Sequence, residues 1–481
     1  MQNKSIKKNY IYNLAYQILV ILLPVITTPY LSRVIGAEGI GIYSYTISIS
    51  TYFILFGSLG VAMYAQREIA YMQDDKEKRS KIFWEIFIIR AITLTIAIFL
   101  FYFTFARSGE YSQYYKILLL EIFANILDIS AFFQGMEEFK KIIKRNLVVK
   151  AISIISIFIF VKQESDVGKY LLIYALSILI GNISLWLYLP KYIIKIKLKN
   201  LEFRKHLKPT IALFTPQIAT QIYTVLDKTM IGTIIQDKAE VGFYEQSQKI
   251  VKMVLTIITS LGTVMLPRIA NKYANGKQEE IKKDILTSFK FVYFLSLPMV
   301  FGMLAITKDL IPWFLGEEFQ KSIYITYVIS PILLLIGLSN VIGIQYLLPT
   351  KRQKQYTISV IIGALTNLIL NLALIFKFQA VGAAIGTVIA EAMVTIVQLY
   401  FIRNEYNIKD ILKMSLKYLI SSIVMFLIIL CLNKYLLNNM AVLKRMVLDI
   451  GIGLITYMGV LIILKDEFVI KYVKKVILRK G

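Results

Sequence analysis

Residues 37–43 read AEGIGIY and residues 239–244 read AEVGFY. Each lies between two long apolar stretches, and they stand close to half of the 481-residue chain apart. A chain that repeats an Ala-Glu-…-Gly-…-Tyr corner in this way reads as a duplicated unit. The glycines suit a tight corner, either through positive φ or through close approach of neighbouring helices.

The stretches around the corners identify the solvent. The chain is 57% apolar and only 18% charged, and its mean hydropathy is +0.64. Soluble domains sit at roughly 45–50% apolar, so part of this surface must face lipid. The net charge is +25. On a soluble protein that would suggest nucleic acid. Here the lysines sit in short segments between apolar runs, which is a topology signal, and no nucleic-acid partner is expected. The one cysteine, Cys431, lies in an apolar run. It offers no internal disulfide, and no Cys/His cluster is present to hold a metal. No cofactor is implied.

A spanning helix needs about 20 apolar residues. Fourteen segments qualify, near 11–33, 42–66, 83–106, 117–136, 147–161, 170–190, 210–235, 247–267, 286–307, 322–348, 357–376, 380–402, 416–433 and 446–464. The first reads as a retained helix, because no small-residue cleavage site follows it. With both ends placed on the inner side, the inner segments are the richer in Lys and Arg along the whole chain. The inner stretch 191–208 holds Lys191, Lys195, Lys197, Lys199, Arg204, Lys205 and Lys208, whereas the outer stretch 377–379 holds Lys377 alone. This fits the positive-inside rule. The expected architecture is all-α and integral to the membrane. Residues 1–200 would form one six-helix bundle and 201–405 a second, parallel copy, the repeat form seen in secondary transporters. Residues 406–481 would add two helices and a basic inner tail. A third echo of the corner, AVGAAIG at 380–386, places Gly382 and Gly386 at a spacing suited to helix packing. Prolines lie near the start of each bundle, Pro24 and Pro29 in the first and Pro216 in the second.

Polar side chains inside membrane helices are costly and face a cavity or another helix. Several here share a face. Gln217, Gln221, Thr224 and Lys228 recur at helical spacing in the seventh segment, ending in a cation. Glu121, Asn125 and Asp128 do so in the fourth, Glu245, Lys249 and Lys252 in the eighth, and Asn367 with Asn371 in the eleventh. The choice for each lies between a wet cavity and hydrogen bonds that glue helices together. The cations Arg90, Lys228 and Lys252 point to an anionic head group such as a phosphate or pyrophosphate. Arg33 stands near the outer rim, where anchoring at the interface is the alternative. The acids Asp128, Asp227 and Glu391 are candidates for proton or sodium coupling, with charge balance against Arg90, Lys228 or Lys252 as the alternative. His206, the one histidine, is expected in an inner loop. No nucleophile elbow, HExxH or Walker A sequence is present, so a carrier is expected and not an enzyme.

Three stretches carry a family resemblance: RVIGAEGIGIYSY at 33–45, FFQGMEEFKK at 132–141 and LDKTMIGTIIQDKAEVGFYEQSQKIVK at 226–252. The chain resembles, over nearly its whole length, the Wzx-type polysaccharide flippases of the multidrug/oligosaccharidyl-lipid/polysaccharide exporter superfamily. The resemblance implies two six-helix bundles, a cationic cavity and alternating access in a bacterial cytoplasmic membrane. It implies as cargo an undecaprenyl-pyrophosphate-linked oligosaccharide, moved from the inner to the outer leaflet for capsule, exopolysaccharide or other surface polysaccharide. A polysaccharide polymerase and chain-length proteins are then candidate partners. The family's cavity cations carry over onto Arg90, Lys228 and Lys252, less directly onto Arg33 near the outer rim, and Lys249 joins them as a candidate cation from the stripe on the eighth segment. Alternatives within the superfamily are a lipid II flippase, a teichoic-acid precursor flippase and a cation-coupled multidrug exporter. A membrane polymerase or glycosyltransferase should show a large outer loop or an acidic catalytic pair, and neither is present. A reporter fused at Lys199 is expected on the inner side of the membrane. An outer location would break the fourteen-helix alternation.

Overall fold

The computed structural model describes residues 6–197, 199, 201–438 and 440–470, with side chains described outside 6–22, 212–213, 215–224 and 263. Helix accounts for almost all of it, and no strand occurs among the described residues. Two compact units follow one another, Met1–Gly242 and Phe243–Gly481.

The first unit contains α1 (Ile6–Ser58), α2 (Val61–Tyr71), α3 (Lys76–Phe101), α4 (Ser112–Ile126), α5 (Ser130–Gly135), α6 (Phe139–Phe160), α7 (Val167–Trp186) and α8 (Arg204–Ile234). The second contains α9 (Ala239–Ala274), whose opening residues up to Gly242 belong to the first unit, α10 (Gln278–Leu315), α11 (Gln320–Ile329), α12 (Ile332–Ser339), α13 (Gln353–Ile402), α14 (Ile408–Tyr435) and α15 (Val442–Ile463). Among the described residues nine helices are long and apolar enough to cross a membrane, or ten if the bent pair 317–347 is one span. The fourteen expected segments fall largely on helix: 11–33 lies within α1, 42–66 runs from α1 into α2, 117–136 crosses the break between α4 and α5, and 357–376 and 380–402 lie within α13, while fourteen crossings remains a proposal. Exposed Ile369, Leu372 and Phe376 on α13, and Ile450, Leu454 and Ile455 on α15, would be a liability in water. On membrane helices they are the lipid-facing surface.

The expected corners are in fact helix beginnings. Gly36 has φ 67° inside α1 and breaks it into two limbs, so AEGIGIY opens the second limb. AEVGFY opens α9, where the Asp237 carboxylate caps the helix by accepting from the Ala239 N–H at 2.9 Å. In α13 the kink is at Gln379, φ 53°, and Ala380 follows it. A single residue of left-handed conformation replaces a loop at Gly36 and at Gln379. So short a break leaves few backbone groups without helical partners. The prolines Pro24 and Pro29 lie within α1, whose non-helical residue is Gly36.

Where a membrane helix does break, side chains take over the orphaned carbonyls. Between α4 and α5, residues 127–129 leave the helix. Asn182 donates to the Ala124 carbonyl at 2.7 Å, Trp186 to Leu127 at 2.8 Å and Arg90 to Asp128 at 2.8 Å. The Asp128 carboxylate accepts from the Ser130 N–H at 2.9 Å and faces the Arg90 guanidinium at 3.7 Å.

The contacts of α8 place it in the first unit, beyond the expected bundle boundary at residue 200. It packs on α1 and α2. His206 lies on the first turn of α8, not in a loop. It is buried between the Tyr64 hydroxyl at 2.8 Å and the fully buried Glu85 carboxylate at 2.7 Å. Lys205 approaches the same carboxylate at 3.1 Å. The division of the sequence into two equivalent bundles remains a proposal.

In the second unit α14 and α15 pack on α10. Tyr457 donates to the Phe294 carbonyl at 2.8 Å, and Arg445 makes a two-pronged bond with Asp309.

Arg90→Ala is expected to destabilise the protein by about 3 kcal/mol, because it removes the counter-charge of a partly buried carboxylate and the donor to an orphaned carbonyl. Thermal unfolding in detergent measures this, with Arg90→Lys falling between the two. A melting temperature equal to wild type would remove Arg90 from this role.

Candidate functional site: polar groups within the membrane helices

The polar residues singled out in the sequence fall into separate groups in the two units. In the first unit Arg90 is 6% exposed and is committed to Asp128, so these two answer one another's charge. Asn125 is half-buried and donates to the Glu121 carbonyl at 2.9 Å. Asp227 is buried on α8, with Lys228 half-buried beside it. The next residue, Thr229, donates to Ser48 of α1 at 2.8 Å and to Tyr52 at 3.2 Å. Arg33 is exposed and donates to the Pro29 carbonyl at 3.2 Å. The side chains of Gln217, Gln221 and Thr224 lie outside the described residues.

In the second unit the eighth segment builds a polar ladder on α9. Tyr244, Gln248 and Lys252 follow at steps of four residues, so they stack on one face. Lys252 donates to Gln248 at 2.9 Å, Gln248 donates to the Tyr244 hydroxyl at 3.1 Å, and that hydroxyl shares a 3.0 Å bond with Thr387 of α13. Tyr244 and Gln248 are buried, while Lys252 is exposed. The ladder therefore anchors an ammonium at the surface of an apolar helix. Lys249 is half-buried on the neighbouring face. Asn371 donates to Asn367 at 3.2 Å on α13, and both are fully buried. Glu391 is also buried on α13. Gly386 sits against Asn371 and Gly382 against the Leu374 carbonyl, so this pair serves packing as expected.

The repeated corners meet. A Cβ on Gly41 would stand 1.7 Å from the Lys238 carbonyl oxygen, and one on Gly242 would stand 2.0 Å from the Ala37 carbonyl oxygen. The glycines are required because backbone packs on backbone there. Lys238, unremarked in the sequence, locks the joint. It is buried, donates to the Gly232 carbonyl at 2.7 Å, and lies over the Tyr45 and Tyr111 rings at 5.0 and 5.7 Å. Burial pushes its ammonium below the usual lysine range, and the nearby Glu110 and Asp237 oppose that.

Sequence reasoning named Lys252 but not its supports, Gln248 and Tyr244. Their four-residue spacing was a legible signal. Thr387 carried none, since single hydroxyl residues are common in membrane helices.

A long-helix, multi-pass membrane protein with transporter architecture is the class these features define. A family model described as "Polysaccharide biosynthesis protein" matches residues 6–272, and one described as "MatE" matches 212–373. The chain belongs to the polysaccharide biosynthesis protein family. A protein named "Putative O-antigen transporter" from Escherichia coli (strain K12) is 26% identical over 83% of this chain and 97% of its own length. The capsular polysaccharide biosynthesis protein CapF of Staphylococcus aureus is 23% identical over 82% of this chain and 99% of its own. The solved structure of the lipid II flippase MurJ in an inward closed conformation superposes with a TM-score of 0.78, covering 95% of this chain and 100% of that one at 18% identity. That last likeness is one of fold. The family and these relatives agree with the expectation of a carrier and not a catalyst.

Gly41→Ala and Gly242→Ala are each expected to cost about 1–3 kcal/mol through overpacking, and less than the sum when combined, because the two glycines abut one another. Gly451→Ala, with open space around it, is the control. Thermal melting of the four variants reads this out. Additive losses at 41 and 242 would show that the two contacts are independent.

Proposed function

We propose that this protein flips undecaprenyl-pyrophosphate-linked oligosaccharide units from the inner to the outer leaflet of a bacterial cytoplasmic membrane. Both termini would lie on the inner side, and the units would feed capsule or another surface polysaccharide by alternating access. The observation that carries the reading is Lys252, an exposed ammonium on a membrane helix, steered by Gln248 and backed by Tyr244. Charged side chains on membrane helices are costly and mark ligand or ion pathways, and an exposed ammonium is a point charge suited to an anionic ligand. A lipid-linked pyrophosphate is such a partner, and it cannot cross hydrocarbon unaided. Lys228 and Lys249 are the further candidates for the head group. Arg90 joins them only if its pair with Asp128 opens, and Arg33 would act at the rim. Asn125, Asn367 and Asn371, with Gln217, Gln221 and Thr224, would supply neutral hydrogen bonds to sugar hydroxyls. Asp128, Asp227 and Glu391 are the proposed coupling acids, although Asp128 already balances Arg90.

The family and the O-antigen and capsule relatives support a lipid-linked glycan over a small drug. A carrier of drug cations would favour surplus acids where this chain offers lysines. The same lysines would serve lipid II or a teichoic-acid precursor, which are lipid-linked phosphates too.

The test is flipping of a fluorescent undecaprenyl-pyrophosphate oligosaccharide in proteoliposomes, read as protection from an impermeant quencher. Lys252→Ala should slow flipping about tenfold or more, the worth of a hydrogen bond to a charged group. Gln248→Ala should slow it less. Equal rates in all three proteins would remove Lys252 from the site. Absence of flipping together with export of a small cation would replace the proposed function by the exporter.

A further inference from the structure

Glu121 stands apart from the acids just named. It lies in the middle of α4, is 4% exposed, and forms no ion pair among the described residues. Its partners are two hydroxyls. Ser50 of α1 donates to Oε2 at 2.7 Å and Tyr174 of α7 donates to Oε1 at 2.9 Å. By contrast, Asp128 has Arg90 and Glu85 has Lys205 and His206. A carboxyl held by hydroxyls can keep its hydrogen bonds with or without its own proton, because a hydroxyl both donates and accepts.

The groups around it are titratable only at the far end of the scale. From α7 come Tyr174 and Tyr170, and from α1 comes Tyr43, whose ring stacks on Tyr170 at 4.3 Å and meets Tyr174 edge-on at 5.9 Å. On α4 itself Asn125 bonds the Glu121 backbone. The charged group that α3 brings to α4 is Arg90, and it is held by Asp128.

The decisive detail is the second choice open to Ser50. Its hydroxyl lies 3.0 Å from the Ile47 carbonyl as well as 2.7 Å from Glu121. With the carboxylate charged, Ser50 donates to Glu121. When a proton arrives on Oε2, the serine hydrogen can turn to Ile47, and the new carboxyl hydrogen can donate to the serine oxygen. Both states are then hydrogen-bonded, and no atom has to move far. The proton comes from and returns to water, and no other bond is made or broken.

We propose that Glu121, served by Ser50 and Tyr174, is a reversible proton-binding site of this carrier. Binding replaces two charge-assisted bonds with neutral ones, which are roughly half as strong. Protonation therefore loosens the tie that holds α1, α4 and α7 together. Its use in driving transport rests on the flippase reading, but the proton site itself does not.

The first experiment is independent of transport. Infrared difference spectra of the full chain in nanodiscs, taken between acid and alkaline pH, should contain the carbonyl stretch of a buried protonated carboxyl. Glu121→Gln should remove that band. Ser50→Ala and Tyr174→Phe each remove a donor to the carboxylate, so the band should survive to higher pH. They also serve if Glu121→Gln does not fold. A band unchanged in Glu121→Gln, or unmoved in both hydroxyl variants, overturns the proposal. The second experiment is the proteoliposome assay with and without a proton gradient. The acceleration by the gradient should vanish in Glu121→Gln. Its persistence would separate the site from transport, and a response to sodium at fixed pH that this variant abolishes would make the site a cation site and overturn the proton assignment. A Glu121 band in a protein that flips no lipid-linked sugar would sink the flippase reading and leave the proton site standing.

Discussion

Hydrocarbon offers no hydrogen bonds, and that constraint organises this structure. Each backbone group that leaves a helix at depth must find a partner inside the protein. The break between α4 and α5 meets the requirement with three side chains from two other helices, Arg90, Asn182 and Trp186. Between the expected spans 11–33 and 42–66, the turn into the second limb of α1 exposes few such groups by being only one residue long, at Gly36. These two devices explain why polar and glycine residues sit where an average membrane helix would place leucine.

The same scarcity of partners sorts the ionisable groups. Arg90 serves the broken helix and neutralises Asp128. Lys238 serves the end of α8, where it collects carbonyls under two tyrosine rings. Lys252 is exposed and donates to an amide of its own helix. Glu121 has two hydroxyls and, among the described residues, no ion pair. The first two are structural uses of charge. The last two can take a further partner, an anionic ligand for Lys252 and a proton for Glu121, and carriers exploit such groups.

The duplicated corner gains a physical meaning. The two copies are the opening turns of two helical limbs, each beginning Ala-Glu and placing an acid in its first turn, as the helix dipole favours. Their glycines lie against one another's neighbourhood at distances that leave no room for a methyl group.

Composition and periodicity alone determined that the chain is all-helical and membrane-embedded, where nearly every helix lies, and that the corner repeats. These are local properties, since apolar length and a four-residue step act within one helix. The ladder from Tyr244 to Lys252 was legible for the same reason. Tertiary structure decided the partners. Arg90 meets Asp128 across 38 residues of sequence and Ser50 meets Glu121 across 71. A helical face read from sequence points in a direction but does not say which helix lies there. The cation read as part of a cargo site also holds a broken helix. The acid left out of the candidate coupling set proved to have no ion-pair partner among the described residues.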